Sequence, residues 1–330
     1  MALDVKVIIN IIKPVGAIGF GCPLILEENA AADIAYTEVT NLDTLVKMGY
    51  TVDDKVYKAL YLMFRQDHAP KKVAVCATTG TAVEWLSEEN NMSKGWRQLV
   101  IVSATEVATN IAKVMTIIEG QTLYPKFYYA NVAYDDTTKY SVKDVERTLL
   151  CYYTPTEDVP CPVAALAGEV GGAEIGSYTI NNMVVRGIEG LELSESEIEA
   201  IHAKGGITYV VSAGDVVASE GISAGGTFVD NVDNNDYIKQ QLEYKTQKVF
   251  NNNMKVPYTN TGIAMLEAAA IEVMTDAVNK NIVESFTVSY ALREDTTEAD
   301  RYARKYFGGN ISYVMAGAIH HIEIRCDASF

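Results

Sequence analysis

Four short apolar runs, alternating with helical patterns in the first half of the chain, constrain the fold more than any other feature. They have the composition of buried strands, at residues 72–77, 98–102, 126–132 and 148–153. Between them, Thr81 with Glu84 and Ser103 with Glu106 have the spacing of capping boxes, which begin helices. Strands separated by single helices predict an α/β fold, with a mainly parallel sheet covered by helices on both faces.

Past residue 170 the pattern changes, which predicts a second domain of the α+β type. Glycines at residues 168–172 indicate a loop, because glycine favours turns. Further strands are expected at residues 177–180, 183–188, 207–211, 216–219 and 286–290. Helices are expected at residues 56–64, 141–146, 162–167, 194–201, 238–249, 263–277 and 297–306. The stretch 311–325 is predicted to be a final extended segment.

The N-terminus has the pattern of one isolated strand. Val5, Val7, Ile9 and Ile11 are apolar at every second position, which is the period of a strand. A segment rich in glycine and proline, residues 14–23, then separates them from the rest of the chain. A single strand needs a sheet edge to pair with. These residues alone leave open whether that edge belongs to the same subunit or to a neighbour.

Composition restricts the class of function. The chain of 330 residues has 27 Lys and Arg against 43 Asp and Glu, a net charge of −16. This argues against nonspecific binding to nucleic acid or to an anionic membrane. The 5 cysteines lack the C-x-x-C spacing, which favours free thiols in a reducing cytoplasm. No run approaches the roughly 20 apolar residues of a membrane helix, and we expect a soluble protein without a secretion signal.

No arrangement of residues indicates catalysis. Ligands of parallel-sheet folds bind at the carboxyl ends of the strands, where this chain has Thr78, Thr79 and Ser103 but no histidine, cysteine or basic residue. His320 and His321 would point to opposite faces of a strand, which disfavours a shared metal. We therefore predict no enzyme activity, no catalytic residue, no cofactor and no metal. The main alternative is a nucleotide-binding or metabolic α/β enzyme.

A succession of short motifs in the second half carries a family resemblance. In chain order these are Gly206–Val211, Ser223–Gly226, Asn235–Lys239, Ala299–Lys305 and Ala316–His320. Their order resembles the C-terminal domain of contractile tail sheath proteins. Such proteins occur in contractile-tailed phages, R-type bacteriocins and related contractile injection systems. The resemblance is best over residues 205–325, and the N-terminal strand on its flexible arm is similar in character.

The resemblance implies a structural subunit that polymerises with itself in stacked rings around a tail tube. Contraction of the polymer would drive the tube through a cell envelope. Its implied partners are further copies of the chain, the tail tube protein, and the baseplate and tail terminator proteins, with no direct nucleic acid and no membrane insertion. Assembly would take place in the bacterial cytoplasm, in a virion tail or a released contractile particle. Another self-assembling tube or shell subunit is a further alternative.

The resemblance also implies roles for parts of the chain. It implies an N-terminal arm and linker (1–22), an α/β domain (23–170), a sheath-type C-terminal domain (171–310) and a C-terminal arm (311–330). The arms would add strands to neighbouring subunits through Val5, Val7, Ile9 and Ile11, through Ile322 and Ile324 on one C-terminal face, and through Ile319, His321 and Glu323 on the other. A basic helix with Arg301, Arg304 and Lys305 is a candidate for facing the tube. Charge pattern alone equally permits a solvated helix face there. The 20 tyrosines are candidates for contacts between subunits.

Overall fold

The computed structural model describes residues 20–105, 109–136, 140 and 144–326. The chain divides into two compact units, Met1–Asp236 and Tyr237–Phe330, called unit 1 and unit 2 below. The predicted N-terminal strand with Val5, Val7, Ile9 and Ile11 lies outside the described residues. The domain boundaries at residues 22, 170 and 310 remain predictions.

Unit 1 is built on a seven-stranded sheet. In chain order its strands are β1 (Leu24–Glu28), β2 (Ile34–Val39), β3 (Val73–Ala77), β4 (Gln98–Ser103), β5 (Phe127–Val132), β6 (Thr148–Tyr152) and β7 (Gly206–Ile207). The spatial order is β2-β3-β1-β4-β5-β6-β7. Strand β2 is antiparallel to β3 at one edge, and the other neighbouring pairs are parallel. The predicted mainly parallel α/β sheet is therefore confirmed.

Helices and one small hairpin complete unit 1. The helices are α1 (Leu42–Lys47), α2 (Lys55–Phe64), α3 (Ala82–Ser87), α4 (Glu89–Met92), α5 (Ile111–Glu119), α6 (Val163–Gly172) and α7 (Glu195–His202). Strands β8 (Tyr209–Ser212) and β9 (Asp215–Ala218) form the predicted antiparallel hairpin. Helix α8 (Val229–Asn252) begins in unit 1 and ends in unit 2. Within the described part of the chain, no helix is both long and apolar enough to cross a lipid bilayer.

Two apolar cores cover the two faces of the sheet. Successive residues of a strand point to opposite faces, and Ile25 and Leu26 of β1 accordingly belong to different cores, each with no exposed surface. Ile25 packs in the core that contains Leu60 of α2 and residues of α6. Leu26 packs in the core that contains Leu86 of α3 and Val114 of α5. Burial on both faces explains why the parallel strands are continuous apolar runs.

Strand β1 was not expected, although it lies near the centre of the sheet between β3 and β4. Its five residues directly follow the Gly- and Pro-rich segment and end in two glutamates. Glu28 is nonetheless buried. Its carboxylate accepts a hydrogen bond from the Ala82 N–H at the start of α3, at 2.9 Å, and one from the Thr109 hydroxyl. These bonds compensate for the burial of a charged strand end.

The prediction of a loop at residues 168–172 is wrong, because these residues form the second half of α6. A Cβ on Gly168 would lie 2.6 Å from the Cα of Met63, and one on Gly172 would lie 1.7 Å from the carbonyl oxygen of His68. The glycines therefore permit close contact with the end of α2 and the chain that follows it. Packing outweighs the usual cost of glycine in a helix, about 1 kcal/mol per residue.

Further predictions differ from the structure. Helix α5 begins at Ile111 and is capped by Asn110, whose side chain accepts from the Lys113 N–H at 3.1 Å. Glu106 of the capping box predicted with Ser103 lies outside the described residues. The strands expected at 177–180 and 183–188 reduce to one isolated bridge between Val184 and Val217. Residues 144–146 are not helical, and residues 141–143 of that expected helix lie outside the described residues. The capping box of Thr81 and Glu84 is confirmed.

Unit 2 contains the rest of α8, a second long helix and a two-stranded antiparallel sheet. These are α9 (Asn260–Asn279), β10 (Val283–Tyr290) and β11 (Gly309–Met315), with the short helix α10 (Glu298–Tyr302) between the strands. Ala270, Val273 and Ala277 of α9 are buried. The two long helices and the strand at 286–290 were expected.

Candidate assembly surfaces

The β10–β11 pair is the first candidate surface. Phe286 pairs with Tyr313 and Val288 with Ile311 in an antiparallel register that shifts once, between Val283 and Ser285. Burial alternates along both strands, so that one face is partly covered and the other is exposed. Within the described residues this sheet has only these two strands, so no further described strand pairs with the outer edge of either. The Tyr290 N–H at the end of β10 donates to the Glu267 carboxylate of α9 at 3.2 Å. Two-stranded sheets are marginal in isolation and are stabilised by added strands.

The residues after β11 form the second candidate surface. The extended segment predicted at 311–325 is a strand only as far as Met315, and residues 316–326 are neither helix nor strand. Ile319, Ile322 and Ile324 are exposed by 89%, 80% and 74%, and His321 and Glu323 are exposed as well. Isoleucine side chains are normally buried, so three highly exposed ones on a single short segment are unusual.

The predicted basic helix is shorter than expected. Helix α10 ends at Tyr302, so Arg304 and Lys305 follow it, and Arg304 has a positive φ of 57°. The Arg301 guanidinium Nη1 donates to the carbonyl oxygens of Arg293, at 3.0 Å, and Thr296. Arg301 therefore stabilises its own loop, whereas the Arg304 and Lys305 side chains are exposed. The three residues do not form one basic helix face.

A cluster of three tyrosines supports this loop from inside unit 2. The Tyr306 ring stacks on Tyr290, with centroids 5.9 Å apart, and meets the edge of Tyr258 at 6.0 Å. The Tyr258 hydroxyl donates to the Lys305 carbonyl at 3.1 Å, and the Tyr306 hydroxyl donates to the Ala291 carbonyl at 2.8 Å. Burial raises the pKa of Tyr306 to about 12. Apart from the high tyrosine content, no pattern in the sequence indicates this cluster.

Other tyrosines are internal to unit 1. Tyr129, Tyr152 and Tyr209 are buried in its two cores. Tyr209 packs edge-on against Tyr153, with centroids 5.8 Å apart. These four tyrosines therefore serve packing inside the subunit, whereas Tyr61, Tyr244 and Tyr302 are exposed and stay candidates for contacts between subunits.

The carboxyl ends of the parallel strands, where an α/β enzyme would bind its ligand, are occupied by acidic side chains. Besides the buried Glu28, Glu27 accepts from the Tyr50 hydroxyl at 2.8 Å. Asp33 accepts from the Thr79 N–H at 2.6 Å. Burial raises the pKa of Glu27. Carboxylates that already take up the free N–H groups oppose the binding of a phosphate there. Among the described residues, no cluster of histidine, cysteine or acidic side chains could hold a metal ion.

Comparison with solved structures identifies the architecture. The chain aligns with a subunit of the anti-feeding prophage helical sheath in its contracted state, with a TM-score of 0.72 and 11% sequence identity, over 99% of this chain and 97% of that one. The chain has the contractile sheath fold. A second sheath subunit, from the contracted PVC sheath complex of an extracellular contractile injection system, aligns with a TM-score of 0.70 and 10% identity, over 93% of this chain and 91% of that one.

The same contractile sheath fold occurs in a sheath tail protein from Desulfitobacterium hafniense, with a TM-score of 0.57 and 9% identity over 95% of this chain and 99% of that one. No protein-family profile matches the sequence, and no curated protein matches it. The resemblance noted in the sequence is thus confirmed as a likeness of fold. It extends beyond residues 205–325 to nearly the whole chain.

Proposed function

We propose that this chain is the subunit of a contractile sheath, which polymerises with copies of itself around a tail tube and contracts to drive the tube through a cell envelope. The observation that carries the proposal is the sheet β10–β11, which has two strands within the described residues and is followed directly by an exposed, isoleucine-rich segment. The likeness of fold to sheath subunits in assembled particles supports it.

The outer edges of this sheet and the exposed segment complement one another. An extended segment can add a strand to a free sheet edge, with main-chain hydrogen bonds for affinity and alternate side chains for specificity. Ile322 and Ile324 would form one face of such a strand, and Ile319, His321 and Glu323 the other. The N-terminal residues Val5, Val7, Ile9 and Ile11 have the same alternation. Burial of each isoleucine in a neighbour would contribute about 1.5–3 kcal/mol, repeated at every subunit of the polymer.

Arg304 and Lys305 are the part of the basic group that is free to meet a partner, with Arg301 shaping the loop that presents them. In a chain with a net charge of −16, two adjacent exposed cations favour an acidic surface. We assign this loop to contact with the tail tube protein. The baseplate and tail terminator proteins would meet the two ends of the polymer. We place assembly in the bacterial cytoplasm, within a virion tail or a released contractile particle.

The proposed role is structural rather than catalytic. A metabolic or nucleotide-binding enzyme would need a ligand site at the carboxyl ends of β1, β3 and β4. Glu27, Glu28 and Asp33 fill that edge with negative charge. Binding of a nucleotide to the purified chain, measured by calorimetry, would favour the enzyme alternative.

Electron microscopy of the purified chain tests the proposal. We expect striated tubes with a hollow or cogwheel section, and discrete particles would contradict a sheath. Deletion of residues 1–12 should leave a folded monomer that does not polymerise, because the arm that links subunits is lost. The control is Leu123→Ser, which changes an exposed apolar residue of unit 1 and should polymerise normally. If the deletion variant still forms tubes, the assignment of the N-terminal arm is wrong.

A further inference from the structure

The guanidinium of Arg97 is fully buried at the start of β4. Its Nη1 donates to the Pro125 carbonyl at 2.7 Å. Its Nε donates to Asp233 at 3.0 Å and its Nη2 to Asp236 at 2.6 Å. Burial by itself disfavours a charged group, but the two aspartates outweigh this and raise the pKa of Arg97. The guanidinium therefore stays charged inside unit 1.

Asp233 and Asp236 hold the beginning of α8. They lie three residues apart and so share one face of the helix. Asp236 also accepts two hydrogen bonds from Arg147, at 2.5 and 2.9 Å, and Asp233 accepts one from the Tyr178 hydroxyl at 2.7 Å. The first turns of α8 are therefore fixed to the sheet by charge-assisted hydrogen bonds, which are the stronger kind. The rest of α8 belongs to unit 2.

The same guanidinium lies over two aromatic rings. The Phe127 ring lies 4.6 Å from Arg97 and the Phe20 ring 4.9 Å. Phe20 is the first described residue, and in the chain it follows the segment with the alternating Val5–Ile11. Arginine can stack on rings with its faces while its edge binds carboxylates. One planar group thus contacts both the root of the N-terminal segment and the root of α8.

We propose that Arg97 is a joint that couples the root of the N-terminal segment at Phe20 to the first turns of α8. Removal of the Phe20 ring admits water to the guanidinium, and water weakens the attraction between Arg97 and its two aspartates because it raises the local dielectric constant. Conversely, displacement of α8 removes the two carboxylates from the guanidinium. The contact between Arg97 and the Phe20 ring then becomes weaker. This coupling is reciprocal by thermodynamic necessity.

The joint is a property of the single chain, and its test needs no assembly. Its consequence for a sheath, that a pull on the N-terminal segment reaches the first turns of α8, rests on the proposed function. If the chain forms no sheath, the joint can still be present. If the joint is absent, the chain can still form a sheath.

Hydrogen–deuterium exchange on the full chain tests the coupling. Phe20→Leu keeps an apolar side chain but removes the ring face. We expect amides of residues 232–240 to exchange about tenfold faster, since a desolvated cation–π contact is strong enough for this. Phe20→Trp should restore slow exchange. Asp236→Asn should speed amide exchange in residues 20–23. The double variant Phe20→Leu with Asp236→Asn should speed exchange by less than the sum of the two single effects.

The matched control is Val100→Ala, which destabilises a core of unit 1 but changes none of the side chains that bind or stack on Arg97. We compare the two variants under conditions in which they have the same free energy of unfolding. Val100→Ala should then leave unchanged the ratio of the amide exchange rate in residues 232–240 to the rate in β3. The proposal is overturned if Phe20→Leu speeds exchange only near residue 20, or if Val100→Ala loosens α8 to the same extent. Phe20 is partly exposed, so its substitution leaves a folded protein in which either result can be measured.

Discussion

His68 and Glu169 form a two-point contact between the chain that follows α2 and helix α6. The ring Nδ1 of His68 lies 2.5 Å from one carboxylate oxygen of Glu169, and the backbone N–H of His68 donates to the other at 3.0 Å. Glu169 is buried, whereas the His68 side chain is 67% exposed. The contact fixes the residues that pack against the glycines of α6.

This contact predicts a pH dependence of stability. The hydrogen bond to Glu169, with its negative charge, raises the pKa of His68. The folded state therefore binds this proton more tightly than the unfolded state. The resulting stability is fully present below the ordinary histidine pKa, about 6.5, and is lost as the pH rises through the higher pKa of the folded state.

The measurement is urea unfolding of wild type and of His68→Asn, which keeps a neutral donor. We expect the difference in free energy of unfolding between them to shrink from pH 6 to pH 8. The effect should be small because water screens the exposed ring. A difference that is constant over this range would show that the proton does not contribute.

Gly172→Ala should destabilise unit 1. The new Cβ would lie 1.7 Å from the His68 carbonyl oxygen, so α6 and the chain after α2 must separate. Overpacking of this kind costs about 1–3 kcal/mol, against a gain of at most about 1 kcal/mol in helix propensity. Urea unfolding measures the net loss. Gly95→Ala, where nothing lies within 4 Å of the added Cβ, is the control and should leave stability nearly unchanged.

The glycines of α6 show what the sequence could and could not predict. The strands β3, β4, β5 and β6 were predictable because burial on both faces makes each of them an apolar run. Residues 168–172 were predicted as a loop because local preference favours turns at glycine. Only the tertiary contact with residues 63 and 68 makes glycine the fitting residue in that helix. Strand β1 was missed for a similar reason, since Glu28 is compensated by groups distant in sequence.

The candidate assembly surfaces were predictable only in part. The alternation in β10 was expected from the sequence, and the resemblance to sheath proteins implied contacts to neighbours through Ile322 and Ile324, which are exposed. The end of α10 at Tyr302 could not, because it depends on the bonds of Arg301 to the preceding loop. We propose that the pairing partners of the terminal segments lie on other subunits, and the sequence of one chain alone leaves open whether they do.

Ile322→Ser combined with Ile324→Ser should impair polymerisation and leave the monomer folded. Both side chains are exposed in the single chain, so its free energy of unfolding should change by less than about 0.5 kcal/mol for each. In the polymer each would forfeit about 1.5–3 kcal/mol of burial. The critical concentration for tube formation, measured by sedimentation, should rise more than tenfold. Normal tube formation would exclude this face of the segment from the contact.

Arg304→Glu combined with Lys305→Glu should weaken assembly of the sheath on the tail tube. The two exposed side chains would then repel the acidic surface that we assign to the tube. Co-sedimentation with purified tail tube measures the loss, and wild-type binding should fall as salt rises, since exposed charges are screened at about 10 Å in 0.1 M salt. The control, Lys71→Glu with Lys113→Glu, makes the same change in net charge at exposed positions of unit 1 and should bind normally. If both double variants bind the tube as wild type does, the loop after α10 does not face it. If both bind weakly, the total charge of the subunit matters rather than this loop.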